Sequence, residues 1–138
     1  LYKEGLYIYG NKDGVWKTYH ENGQLNKEST YLAGSQFGVE KTHNEKGVLT
    51  QTREFKSNKV HGEINFYSEE KGKLQLTRYY NFGVLIGYGY LDKTGKAIPM
   101  IPVTNETIKI VAYFDNGKPS RQMEIRNGQF INAYKEYY

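Results

Sequence analysis

Gly14-Val-Trp16-Lys-Thr-Tyr19-His-Glu-Asn22-Gly23-Gln-Leu25-Asn-Lys-Glu-Ser-Thr-Tyr31-Leu-Ala-Gly34-Ser-Gln-Phe-Gly38 is one unit of a repeat of about 24 residues, and its reading decides the fold. Gly14 to His20 reads as a first strand. Asn22-Gly23 predicts a two-residue type I′ hairpin turn, which needs positive φ at both central positions. Leu25 to Leu32 predicts the returning strand, with Leu25, Lys27, Ser29 and Tyr31 on one face and Asn26, Glu28 and Thr30 on the other. The six-residue step from Leu25 to Tyr31 is even, so a strand projects both from the same side. On a helix the same step would leave them roughly 120° out of line. Gly34 and Gly38 then bracket the reversal into the next unit.

The same spacing recurs along the chain. An aromatic residue, a glycine three later and a glycine seven later appear as Tyr7/Gly10/Gly14, Tyr31/Gly34/Gly38 and Tyr80/Gly83/Gly87. Phe55/Asn58/Gly62 and Ile125/Gly128/Asn132 are softened copies. A leucine precedes the aromatic by six at Leu1, Leu25, Leu49 and Leu74, at steps of 24, 24 and 25. One column reads Tyr19, His43, Tyr67, and a second, less strict one reads Trp16, Glu40, Ile64. Lys46-Gly47, Lys71-Gly72, Thr94-Gly95 and Asn116-Gly117 hold the tip-turn position. Ala97-Ile-Pro99-Met-Ile-Pro102-Val breaks the fourth unit, and the two prolines predict an edge, a bulge or a loop. The pattern resumes over Thr107 to Phe114 and Ser120 to Ile125, with Pro119 in the leucine position. Asn132-Ala-Tyr134-Lys-Glu-Tyr137 matches the start of the unit at Gly14, and nothing reads as a helix of useful length.

At 138 residues the expectation is one repeat domain over 1–138, with about five hairpin repeats and an irregular segment at 97–106. The 14 Tyr, 6 Phe and 1 Trp argue for order in a chain poor in aliphatic residues. The formal charge of +4 comes from lysines spread along the chain, as expected of a soluble surface with protected strand edges. Without cysteine there is no disulfide framework, thiolate zinc site or cysteine nucleophile. No apolar run reaches the roughly 18 residues of a membrane-spanning helix. Leu1 falls mid-repeat, so an upstream segment is expected to have been removed; a lost signal peptide or lipid anchor would place the protein outside the cytoplasm.

The residues Gly14-x-Trp16-x-x-Tyr19-x-x-Asn22-Gly23-x-Leu25, followed by Tyr31-x-x-Gly34-x-x-x-Gly38, resemble MORN repeats, in particular the bacterial variant with members named as antitoxin components. The resemblance covers nearly the whole chain apart from 97–106. It implies an elongated, twisted, single-layer antiparallel sheet of tandem β-hairpins. It also implies roles in protein–protein contact and scaffolding, membrane-lipid association in some members, and a protein partner for the antitoxin-named ones. Glu40 in the tryptophan column, and Asn58 and Asn132 in glycine positions, depart from the pattern.

The residues offer little catalytic chemistry. His20, His43 and His61 have no pair at a spacing of two to five, so no metal site is expected. His43 replaces a tyrosine ring in its column. No Gly-x-Ser-x-Gly is present, and Gly83-x-x-x-Gly87 lacks the lysine and helix of a phosphate loop. A solvated charged face accounts for the carboxylates better than an acid–base pair. The expectation is therefore no enzyme, no cofactor and a protein partner. Exposed aromatic and basic residues are the binding candidates: Trp16, Tyr19, Tyr67, Tyr79, Tyr88 and Tyr90, with Arg78 and Lys93. Tyr79 and Tyr80 face opposite sides, and the column rule makes Tyr79 the exposed one. The same tyrosines could take a lipid headgroup layer, a sugar ring or single-stranded nucleic acid; scattered charge weighs against nucleic acid. The ladder Tyr31, Phe55, Tyr80 reads as structural, and the segment 97–106 as a specificity element.

Overall fold

A computed structural model describes residues 2–104, 106–114, 116–127, 129–130 and 135–137, without the side chains of 130, 135 and 136. The repeat positions Leu1, Gly128, Asn132 and Tyr134 lie outside the described residues. The chain is all-β, with no helix among the described residues. Strands β1 (Tyr2–Ile8), β2 (Asn11–Tyr19), β3 (Leu25–Leu32), β4 (Ser35–His43), β5 (Leu49–Lys56), β6 (Lys59–Tyr67), β7 (Leu74–Asn81), β8 (Val84–Gly89) and β9 (Ile101–Pro102) follow one another in a single antiparallel sheet. Every strand pairs with its sequence neighbours, and the sheet does not close into a barrel. This is the expected array of tandem hairpins.

The turn chemistry differs from the sequence expectation. The type I′ turns lie at the junctions between units, where Tyr9 and Gly10 have φ of 49° and 80°, and Ala33 and Gly34 have 48° and 85°. Ser57 and Asn58 repeat this at 50° and 65°, which shows why asparagine can stand in for the junction glycine. At the tip, Gly23 adopts positive φ and Asn22 does not. The tip is a three-residue loop in which Gly23 N–H donates to His20 O at 2.9 Å and His20 N–H donates to Gln24 O at 2.8 Å. Asn22 has other work: its Oδ1 accepts from Gln24 N–H at 3.0 Å, and its Nδ2 donates to Glu45 O in the next tip at 2.8 Å. Asn44 reaches Glu69 O in the same way at 2.7 Å. The junction turns also stack, with Gly34 N–H on Lys12 O, Asn58 N–H on Gln36 O and Gly83 N–H on Val60 O. Both rims of the sheet are thus tied by hydrogen bonds from one repeat to the next. Gly14, Gly38 and Gly62 sit at mid-strand register shifts, with φ of 74°, 73° and 108°.

Strand alternation divides the residues between two faces. The front face carries Tyr7, Trp16, Ser29, Tyr31, Glu40, Arg53, Ile64, Arg78 and Tyr88, linked by the register pairs Trp16↔Ser29, Glu40↔Arg53, Arg53↔Ile64, Ile64↔Arg78 and Arg78↔Tyr88. The back face carries Glu4, Lys17, Glu28, Lys41, Thr52, Asn65 and Thr77, again paired strand to strand.

The fifth hairpin does not extend this sheet. Strand β9 is short, and Pro99 and Pro102 lack the N–H that would carry the ladder further. Strands β10 (Ile108–Tyr113), β11 (Pro119–Arg126), β12 (Gln129–Phe130) and β13 (Lys135–Glu136) form a second antiparallel sheet. Its Ile110, Met123 and Ile125 pack with Leu76 and Tyr88, and Phe66, Leu85, Tyr90, Val103 and Ile108 close around them. The buried core is therefore two-layered over β6–β8, while the front face of β1–β5 stays uncovered. Ser120 Oγ donates to Gln75 Oε1 at 2.8 Å and ties the two sheets together. Alternating isoleucines in β10 supply the apolar face that the lysine-rich early repeats lack, which is why this hairpin folds over the sheet.

Candidate functional site

The uncovered front face of β1–β5 is built around Trp16. Its ring lies over Gly5, where a Cβ would overlap the indole, so the close approach requires glycine. Tyr7 meets the indole edge-on at 4.9 Å, and Trp16 Nε1 donates to Leu6 O at 3.2 Å. Lys12 Nζ stands 4.8 Å from the Trp16 ring and 5.0 Å from that of Tyr31, so one ammonium bridges two aromatic faces. Burial, then the charge of Glu40, raises the Tyr31 hydroxyl above its ordinary pKa, against the opposing charge of Arg53.

Glu40 is the next step across the sheet and is 4% exposed. Its Oε1 accepts from Arg53 Nε at 2.9 Å and from Arg53 Nη2, with Lys27 Nζ 3.9 Å away. Its Oε2 accepts from Ser29 Oγ at 2.9 Å and from Gln36 Nε2 at 2.8 Å. Burial alone would raise the carboxyl, but the hydrogen bonds from Arg53, Gln36 and Ser29 and the Arg53 charge overcome it and hold the group below its ordinary value. The Arg53 guanidinium continues to the Phe55 ring at 5.0 Å. Tyr7, Trp16, Tyr31, Glu40, Arg53 and Phe55 thus form a strip in which an ion pair lies between three rings and a fourth.

The candidates expected from sequence are not brought to one place. Trp16 stands in the open strip. Arg78, Tyr88 and Tyr90 lie on the same face beyond Ile64, where the second sheet covers them. Tyr88 is 1% exposed and is no surface contact, and Tyr90 is half-buried against the core. Arg78 stacks its guanidinium 5.3 Å from the Phe66 ring. The expectation of an exposed platform at these residues is corrected by the cover of the fifth hairpin. Tyr19, Tyr67 and Tyr79 are on the back face. Tyr19 Oη donates to Glu4 Oε1 at 2.6 Å, which with burial and the Glu4 charge raises its pKa; the Tyr2 ring lies 5.7 Å away. Tyr79 lies against Gly89, and burial followed by the charge of Glu63 raises its hydroxyl. Lys93 is exposed at the tip turn between Asp92 and Lys96.

A shallow hollow of about 460 Å³ at the N-terminal tip is lined by Tyr2, Tyr19, His20, Glu21 and Gly23. Among the described residues no group of histidines and carboxylates has the geometry to hold a metal ion. Among the described residues no helix is long and apolar enough to cross a membrane. Sequence reasoning missed Lys12 and Arg53 as members of the strip. Glu40 in the Trp16 column was the available signal, because a carboxylate there needs a cation directly opposite. No protein-family model and no curated protein matches the chain.

Proposed function

We propose that the chain is a non-enzymatic protein–protein interaction module of MORN-like repeats, acting as a toxin-neutralising, immunity-type or surface-associated partner. The observation that carries the reading is the uncovered strip of the front face, where Trp16, Tyr31 and Phe55 are preset by Lys12 and Arg53. Large rings held in fixed orientation lose little conformational entropy on binding and supply most of the energy of a typical interface. Lys12 and Lys27 select a partner that presents carboxylates beside apolar groups. The most strongly held carboxylate, Glu40, has both oxygens occupied by Arg53, Ser29 and Gln36 and has no proton-transfer duty open to it. Affinity capture from native lysate tests the proposal, with Trp16→Ala and Lys12→Glu as controls. One stoichiometric protein lost with either substitution is expected, and capture indifferent to both refutes the assignment of the strip.

A second reading, docking on an anionic membrane surface, is favoured by the junction rim. Tyr9 is 99% exposed there, and Phe82 is exposed with Lys56 Nζ 5.8 Å from its ring. Salt-sensitive sedimentation with anionic vesicles, lost in Tyr9→Ser, supports that reading; no sedimentation at low salt removes it.

A further inference from the structure

The back face of β1–β4 carries two parallel rows that the fold itself does not use. One is mostly apolar: Leu6, Ile8, Val15, Leu32, Phe37 and Val39 are all exposed, with Leu32 at 64% and Leu6 at 58%, while Asp13 beside Leu6 and Thr30 between Val15 and Phe37 interrupt it. Exposed apolar side chains clustered on one sheet face in this way mark a candidate contact surface. The second row is charged and strictly alternating. Glu4 opposes Lys17, Lys17 opposes Glu28 and Glu28 opposes Lys41, each by direct register. Glu4 also accepts from Tyr19 Oη. Among the described residues no ion pair within hydrogen-bonding reach joins members of this row; Lys27 and Arg53 are instead drawn to Glu40 on the front face.

A row of even length and alternating sign has a particular symmetry. Read backwards, Glu-Lys-Glu-Lys becomes Lys-Glu-Lys-Glu. A two-fold axis parallel to the strands and lying above the gap between β2 and β3 reverses the strand order and preserves height along the strands. It therefore sets Glu4 against Lys41 of a second copy and Lys17 against its Glu28, so that all four contacts join opposite charges. The same operation lays the apolar patch on itself, with Leu6 and Ile8 on β1 facing Phe37 and Val39 on β4, and Val15 on β2 facing Thr30 on β3. Two sheets in this relation stack about 10 Å apart with aligned strands, as in a β-sandwich. Four strands at their usual spacing and length cover about 500 Å² in projection, which side-chain relief brings toward the roughly 800 Å² a side of a standard interface.

We infer that the back face of β1–β4 is a self-association surface, and that the protein forms a two-fold dimer in which this face meets the same face of a second copy. The contact is isologous and closes at two. It leaves both front strips outward, so its failure and the failure of the front-face reading are independent of each other.

Sedimentation equilibrium of the full chain up to about 100 µM, a range that detects micromolar self-association, is the test. Wild type is expected to be dimeric. Glu28→Lys and Lys17→Glu each create two like-charge contacts across the axis and are expected to weaken the dimer at least about tenfold. Mixed together, the two variants present complementary rows, Glu-Lys-Lys-Lys against Lys-Glu-Glu-Glu, and are expected to form a heterodimer as tightly as wild type associates. Glu4→Lys with Lys41→Glu is an independent pair of the same design at the outer strands, should either inner variant lose its wild-type melting curve. Rescue on mixing establishes the dimer and its register. A wild-type monomer throughout the range, a dimer indifferent to the reversals, a mixture no tighter than its components, or a monomer that sediments with vesicles each overturns the inference.

Discussion

Replacing Glu40 by alanine perturbs the one buried charge around which the open half of the front face is organised. The carboxylate is 4% exposed and accepts from Arg53, Ser29 and Gln36. Its removal leaves the Arg53 guanidinium and the buried Ser29 hydroxyl without their acceptor. Breaking a fully buried ion pair costs about 3–5 kcal/mol. The Arg53 side chain is 32% exposed and regains part of its hydration, so the expected loss is discounted to about 2–3 kcal/mol. For a chain of this size that lowers Tm by about 6–12 °C. Replacing both partners, Glu40→Leu with Arg53→Leu, should return the protein to within about 1 kcal/mol of wild type, because apolar residues of similar volume then fill the column between Trp16 and Ile64. The pH dependence carries a sign. The Glu40 carboxyl lies below its ordinary 4.5 in the folded protein, so the folded state binds that proton less readily than the unfolded state. The resulting stabilisation is complete above pH 4.5 and is lost as pH falls through the lower folded value. Thermal melts by circular dichroism from neutral pH down through the carboxylate range measure both effects. An unchanged Tm for Glu40→Ala, or an acid slope identical in wild type and variant, would refute the view that this pair is a stabilising centre.

Phe55 is half-buried, so Phe55→Ala should cost about 1.5–2.5 kcal/mol, below the 3–5 of a fully buried ring; denaturant melts check this. Tyr88→Ala should cost about 3–5 kcal/mol and loosen the second sheet, which hydrogen exchange over β10 and β11 would register. Gly34→Ala should lose about 1–2 kcal/mol from its left-handed backbone, whereas Gly34→Asn should lose less, as the natural Asn58 does that duty one repeat later; equal losses would contradict the type I′ assignment.

The repeat spacing made most of the fold legible, because hairpin length, strand alternation and the regular glycines are all local properties. Pro99 and Pro102 also marked correctly where the ladder weakens, and β9 is the shortest strand of its sheet along that stretch. The turn assignment failed for a reason visible only in three dimensions. Asn22 looks like a type I′ residue, but its side chain bonds to Gln24 and to the neighbouring tip, and the positive φ pair falls on Ala33 and Gly34 instead. The candidate site was less legible. Tyr88 and Tyr90 resemble an exposed pair in sequence, yet Ile110, Met123 and Ile125 come from twenty or more residues away to cover that face. The pairing of Glu40 with Arg53 depends on a register that passes through a bulge in one neighbouring strand pair, which residue counting alone does not fix.

The central claim is that the uncovered front strip from Tyr7 to Phe55 is the binding face of this repeat sheet. Hydrogen-exchange mapping of the chain with its captured partner, beside the same capture with Trp16→Ala, tests it most directly. Protection concentrated on β2, β3 and β5 and abolished in the variant is the predicted result. Protection confined to the back face or the tips, with capture unaffected by Trp16→Ala, would contradict the account.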